Sequence, residues 1–264
     1  MESLIQSANQ NLAMAFRRIP VAWMLAKKSI QFRYRRSIIG PFWITLSQAV
    51  YVLVLGIVFA TVFKQKGAEM IPFVTCGALT LSFISSVLQE SSNVLIEKGQ
   101  AIRDGDQYFL THVLETVFHG ALIFAHHTVI LIVVVVVCKV PMHWYDVPAA
   151  IGGLLLICVN LIGFGFLFSL LTPRYRDLGP LIASALRTLF FLTPIMWKPE
   201  FLGDKEYLVA YNPLHHWLNL VREPLIGGEY QVHSLWVTVV TCIVGWALAY
   251  VVFIFCHRKL PTWI

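Results

Sequence analysis

The chain has 264 residues, of which 58% are hydrophobic and only 13% charged, with a formal net charge of +6. A mean hydropathy of +0.71 lies outside the range of soluble domains. The basic excess does not point to nucleic acid either, because the Lys and Arg residues sit beside apolar runs.

The N-terminal segment carries Arg17, Arg18, Lys27, Lys28, Arg33, Arg35 and Arg36. The apolar run behind it is too long for a secretory signal and lacks a small-residue cleavage site, so no cleavable leader is expected. Within 20–36, Pro20 suits a first helical position, and Trp23, Ala26, Ile30 and Tyr34 fall on one stripe, with Lys27, Lys28 and Arg35 elsewhere. This predicts an amphipathic helix lying on the membrane surface; a plain basic flank that sets topology is the alternative. Gly40-Pro41 then breaks the chain.

Six apolar runs follow, at 38–63, 71–96, 113–138, 147–171, 178–197 and 235–256. About 20 mainly apolar residues in a helix cross roughly 30 Å of hydrocarbon. The runs show no period-two alternation, which selects helices over a barrel. The expected fold is an all-α integral membrane bundle of six spanning helices in one domain, with no repeat or linker. Its parts are a cytoplasmic N-terminus with the surface helix (1–37), five spans (38–197), an outer segment (198–233) and the sixth span with the C-terminus (234–264). Six spans place both termini on one side, and that side holds thirteen loop and terminal Lys and Arg residues against six on the other. The positive-inside rule makes it cytoplasmic.

The loop 97–110 carries Glu97, Lys98, Arg103, Asp104 and Asp106, with Gly99 and Gly105 framing room for a single helical turn. It is a docking place for a partner or an ordinary solvated loop. In the third span His112, Glu115, His119 and His126 share a face. An ionisable face in lipid is costly and marks a functional path or a bundle interior. Metal is not expected, since one helix supplies few convergent ligands. Arg187 lies within the fifth span, with Phe190, Phe191 and Trp197 beyond it and Gln89 or Glu90 as partners; an Arg beside aromatic faces suits a sugar path. Tyr51 of the first span is assigned to the same path.

After Pro194 and Pro199 comes Asn212-Pro213, an N-cap and first-turn pair, followed by Leu214, Trp217, Leu218, Val221 and Leu225 at helical spacing. Two short helices that dip into the outer leaflet and return are expected, as at a pore mouth; a helix lying on the outer surface is the alternative. The five scattered cysteines read as small buried hydrophobes. There is no G-x-x-x-x-G-K-[ST], H-E-x-x-H or G-x-S-x-G, so no enzyme activity is expected of this chain alone.

Four stretches in register carry a family resemblance. Arg33-Tyr34-Arg35-Arg36-Ser37-Ile38-Ile39-Gly40-Pro41-Phe42-Trp43 resembles the R-Y-[KR]-x-S-x-L-G-x-x-W entry to the first span of polysaccharide-export ABC transporter permeases, with Ile39 in place of Leu. Tyr175-Arg176-Asp177-Leu178, the run from Phe191 to Trp197, and Asn212-Pro213-Leu214 followed by Arg222 are similar to later motifs of that family. The resemblance implies a homodimer with two copies of a separate ATPase, which holds ATP and Mg; this chain binds no cofactor. It implies export of a lipid-linked polysaccharide (O antigen, capsule or teichoic acid) from the cytoplasmic leaflet of a bacterial inner membrane, with O antigen favoured. It makes 20–36 an interface helix, whose Arg33, Tyr34, Arg35 and Arg36 meet membrane lipid or the lipid pyrophosphate. Residues 97–110 become the ATPase-coupling loop, and Asn212, Pro213, Trp217 and Arg222 parts of a periplasmic gate. The rival reading is an ion-coupled transporter using His112, Glu115 and His119.

Overall fold

The computed structural model describes residues 2–35, 42–106, 108–205 and 207–264. Every regular element among them is helical: α1 (Glu2–Arg17), α2 (Ile19–Tyr34), α3 (Phe42–Val62), α4 (Gly67–Glu97), α5 (Gly99–Arg103), α6 (Phe109–Val137), α7 (Asp146–Leu171), α8 (Leu178–Leu192), a 3-10 segment (Pro199–Lys205), α9 (Tyr207–Ala210), α10 (Pro213–Leu225), α11 (Val232–Cys256) and α12 (Leu260–Trp263). Five of them, α3, α4, α6, α7 and α11, are long and apolar enough to cross a membrane.

The fifth predicted span needs correction. The sequence pattern ran it through Trp197, but α8 stops at Leu192 after 15 residues, roughly 22 Å of helix at 1.5 Å per residue. Thr193 turns to extended backbone (ψ 133°), because the ring of Pro194 excludes the helical conformation for the residue before it. The helix still lies along α4 in antiparallel register, with Gly179 against Asn93 at one end and Ile195 against Gly77 at the other.

α4 is the buried axis of the bundle. α3, α6, α7, α8 and α10 all pack on it, and α7 in turn carries α11. Inside hydrocarbon, helices adhere through close packing and through hydrogen bonds between them. Here Asn160 of α7 donates to the Thr238 carbonyl of α11 (3.2 Å) and accepts from Thr241 (3.2 Å). Thr241 accepts in turn from the Trp217 indole of α10 (3.0 Å). One chain of polar groups thus ties three helices.

The two N-terminal helices embrace the bundle. The sequence reading did not find α1, whose polar residues hid its amphipathic pattern. It runs along the end of α11, where the Tyr250 hydroxyl donates to Asn9 (2.9 Å), Ser7 meets His257 (3.2 Å) and Phe16 stacks on Trp246 (6.3 Å). α2 begins at the predicted place with Pro20 in its first turn. Its buried line is Ala22, Ala26 and Ile30, so Trp23 is half-exposed and meets Phe118 of α6 edge-on. Arg103 of α5 donates to the Ile264 carbonyl (3.1 Å), Arg258 to that of Ser3 (3.4 Å), and Arg174 faces the Trp263 ring. The N-terminal helix, α5, the α7–α8 turn and α12 therefore gather at one end of the bundle.

Candidate functional site

A groove of about 560 Å³ opens sideways between α3, α4 and α8. Gln48 and Tyr51 line it from α3, Ser82, Ser85 and Gln89 from α4, and Arg187, Phe190 and Phe191 from α8. The structure thus unites four of the five residues assigned to a path. Trp197 stands outside it, its indole donating to the Phe191 carbonyl (3.4 Å). The expected partners of Arg187 divide: Gln89 shares the groove, whereas Glu90 turns to His119 of α6 (3.7 Å). Among the described residues Arg187 has no carboxylate within 4 Å. Sequence spacing could not find Gln48, Ser82 and Ser85, because only the packing of α3 on α4 brings them beside Arg187.

Past the end of α8, α10 packs on α4, α7 and α11. The Asn212 side chain accepts from the Leu214 N–H (3.0 Å), the predicted cap, and its amide donates to the Thr193 hydroxyl (3.0 Å). Trp217, Leu218 and Val221 are buried as expected, but so are His215, His216, Asn219 and Arg222. The amphipathic pattern stands, and its polar side is covered as well, because α10 packs on these three helices. Arg222 is only 1% exposed. It donates to the Pro194 carbonyl (2.6 Å) and to Asn219 Oδ1 (2.6 Å), reaches Glu223 (3.3 Å), and lies 4.1 Å from the Phe73 ring centroid. Four residues after Leu218, Arg222 falls on the apolar stripe, and that was the sequence signal of its burial. Burial and the nearby Arg222 push His215 down to about 3, so its neutral ring faces the Asn219 amide at 3.0 Å.

At the end that gathers the termini, 99–103 forms the single turn expected, anchored by buried Ile102. Glu97, Arg103 and Asp104 are exposed. Lys98 is taken by Glu115 of α6 (3.2 Å). Asp106 Oδ1 accepts from the Tyr108 N–H (3.2 Å) and its Oδ2 faces His112 (3.4 Å). Glu115, His112 and His119 therefore each have a separate neighbour, and among the described residues no three such groups converge on a metal site. Arg35 is exposed at the end of α2; Arg36 and the side chains of Arg33 and Tyr34 lie outside the described residues.

The two aspartates of this loop thus differ. Asp104→Ala is expected to leave the melting temperature unchanged, whereas Asp106→Ala removes the acceptor of the Tyr108 N–H and the neighbour of His112 and lowers stability by roughly 1 kcal/mol, the usual worth of one hydrogen bond. Thermal unfolding of the two variants in one detergent checks this, and equal melting would refute it.

Five helices long enough to span a membrane, with a side groove that sets Arg, Gln and Ser among apolar and aromatic side chains, have the build of a membrane transport protein. Residues 20–226 match the ABC-2 type transporter family, and the chain belongs to that family. Two relatives are O-antigen export system permease proteins RfbA of Klebsiella pneumoniae. One is 21% identical over 231 residues, covering 84% of this chain and 88% of the relative. The other is 22% identical over 235 residues, covering 85% and 89%. The resemblance read from the four motifs therefore stands.

Proposed function

We propose that the chain is the membrane subunit of an ABC exporter that moves a lipid-linked polysaccharide, of the O-antigen class, across the bacterial inner membrane. Two copies face each other across the α3–α4–α8 groove, and two copies of a separate ATPase supply ATP and Mg. α8 with its bent continuation completes six crossings, and both termini are cytoplasmic. The groove carries this reading. An extended glycan offers hydroxyls to Gln48, Ser82, Ser85, Gln89 and Arg187, and the apolar faces of its rings to Tyr51, Phe190 and Phe191. A dimer closing over this open side would enclose a passage with polar groups along an aromatic and apolar wall. The exposed edge of α5, with Asp104, is the surface offered to the ATPase. Arg33, Arg35 and Arg36 meet the arriving pyrophosphate, a role suited to Arg. The relatives' function in O-antigen export supports the choice of cargo.

Purification from native membranes in mild detergent is expected to bring down a P-loop ATPase in equal amount; a lone stable oligomer would overturn the reading. Arg187→Leu is expected to reduce polysaccharide at the cell surface roughly tenfold, as for the loss of a charge-assisted hydrogen bond, with membrane content of the subunit unchanged. Equal losses of export and subunit would mean that Arg187 serves only folding.

A further inference from the structure

A second groove, of about 480 Å³, lies between the C-terminal ends of α7 and α11. It shares no lining residue with the α3–α4–α8 groove. Its rim carries Arg174, Tyr175, Lys259 and Trp263, and its wall is apolar, with Leu171 and Phe255. Arg174 lies 5.8 Å from the Trp263 ring centroid. Among the described residues neither Arg174 nor Lys259 has a carboxylate within 4 Å, so two cations share a rim without an acid to neutralise them. Tyr175 and Phe255 are exposed.

Cations and amphipathic aromatics at the ends of two spanning helices, above an apolar wall, match one kind of occupant. Basic pockets between spanning helices take phosphate headgroups, and Trp and Tyr settle at headgroup depth. A small anion would use the rim and leave the wall empty. We propose that this groove holds an anionic phospholipid of the surrounding leaflet, its phosphate between Arg174 and Lys259 and an acyl chain along Leu171 and Phe255. The site rests on the chain's spanning a membrane, and not on what it exports.

The test uses the full chain, delipidated in detergent and titrated with phosphatidylglycerol or phosphatidylcholine while its melting temperature is followed. Phosphatidylglycerol is expected to raise the melting temperature and phosphatidylcholine to leave it unchanged. In Arg174→Gln with Lys259→Gln the apparent affinity for phosphatidylglycerol should fall roughly 10- to 30-fold, the effect of removing two juxtamembrane cations. Lys139→Gln, an exposed cation at the opposite end of the bundle, should titrate as the parent does. Val251→Trp fills the groove wall and keeps both cations, so it too should lose the response, which covers the case of a double variant that does not accumulate. An equal response to phosphatidylcholine, or an unchanged response in the variants, would overturn the proposal. So would an equal shift with inorganic phosphate. Displacement of phosphatidylglycerol by undecaprenyl diphosphate would assign the groove to the transported lipid instead.

Discussion

Arg222→Met is expected to abolish export and to lower the stability of the subunit by about 3–5 kcal/mol, the cost of removing one member of a buried, hydrogen-bonded charge network. The substitution keeps much of the side-chain volume but leaves the Pro194 carbonyl, Asn219 Oδ1 and Glu223 without their donor. Buried groups left this way lose the hydrogen bonds they had in water without replacement. Arg222→Lys should recover part of the loss, because it restores the charge, but one ammonium cannot reproduce the fork that reaches α8's end and α10 together. Melting in detergent and surface polysaccharide in cells are the two readouts. Arg222→Met melting and exporting like the parent would show that the network does not hold α10 to the end of α8.

Adjacent glycines of α7 make the second strong contrast. A Cβ on Gly153 would lie 2.6 Å from the Leu220 carbonyl oxygen and 2.8 Å from the Leu220 Cβ, whereas one on Gly152 would meet nothing within 4 Å. The Gly153 neighbour is backbone and cannot rotate away, so α10 must shift. Gly153→Ala is expected to destabilise by roughly 1–3 kcal/mol, as overpacking does, and to reduce export. Gly152→Ala should be neutral or stabilising by up to about 1 kcal/mol, from the better helix propensity of Ala. Thermal unfolding of the pair decides the matter: similar melting temperatures would mean that the contact between α7 and α10 is looser than it stands here.

The spanning helices were legible because hydrocarbon imposes a length and a composition that nothing else in a sequence imitates. The run at 147–171 agrees with α7 to within one residue, and 235–256 misses only the first turn of α11. Errors arose where a local rule competed with hydropathy. Apolar Ile195, Met196 and Trp197 extended the fifth run, although Pro194 had already ended the helix. The N-terminal helix was missed because its buried positions, Ala8 and Ala15, are small, and Asn9, Gln10 and Asn11 between them break the apolar pattern. The candidate site was legible only in part. Arg187, Phe190 and Phe191 announce themselves as a cation and aromatics in one span, but Gln48, Ser82 and Ser85 are ordinary polar residues until three helices are placed together. Asp106 looked like a docking charge, yet it spends its oxygens on the start of α6. A charge in a loop says nothing of whether its neighbours have already claimed it.

The attachment of α8 to α10 has a kinetic consequence. Asn212 and Arg222 fasten α10 to Thr193 and Pro194, the first two residues past α8, while the body of α8 forms one wall of the side groove. In the proposed dimer, lifting the far end would pull on that wall, so the proposed passage would widen and unseal in a single stroke. An airlock for small solutes needs its two doors to open in turn. A polymer longer than the bilayer is thick occupies both doors at once, and for such a cargo simultaneous opening leaks little, because the chain in transit is itself the plug.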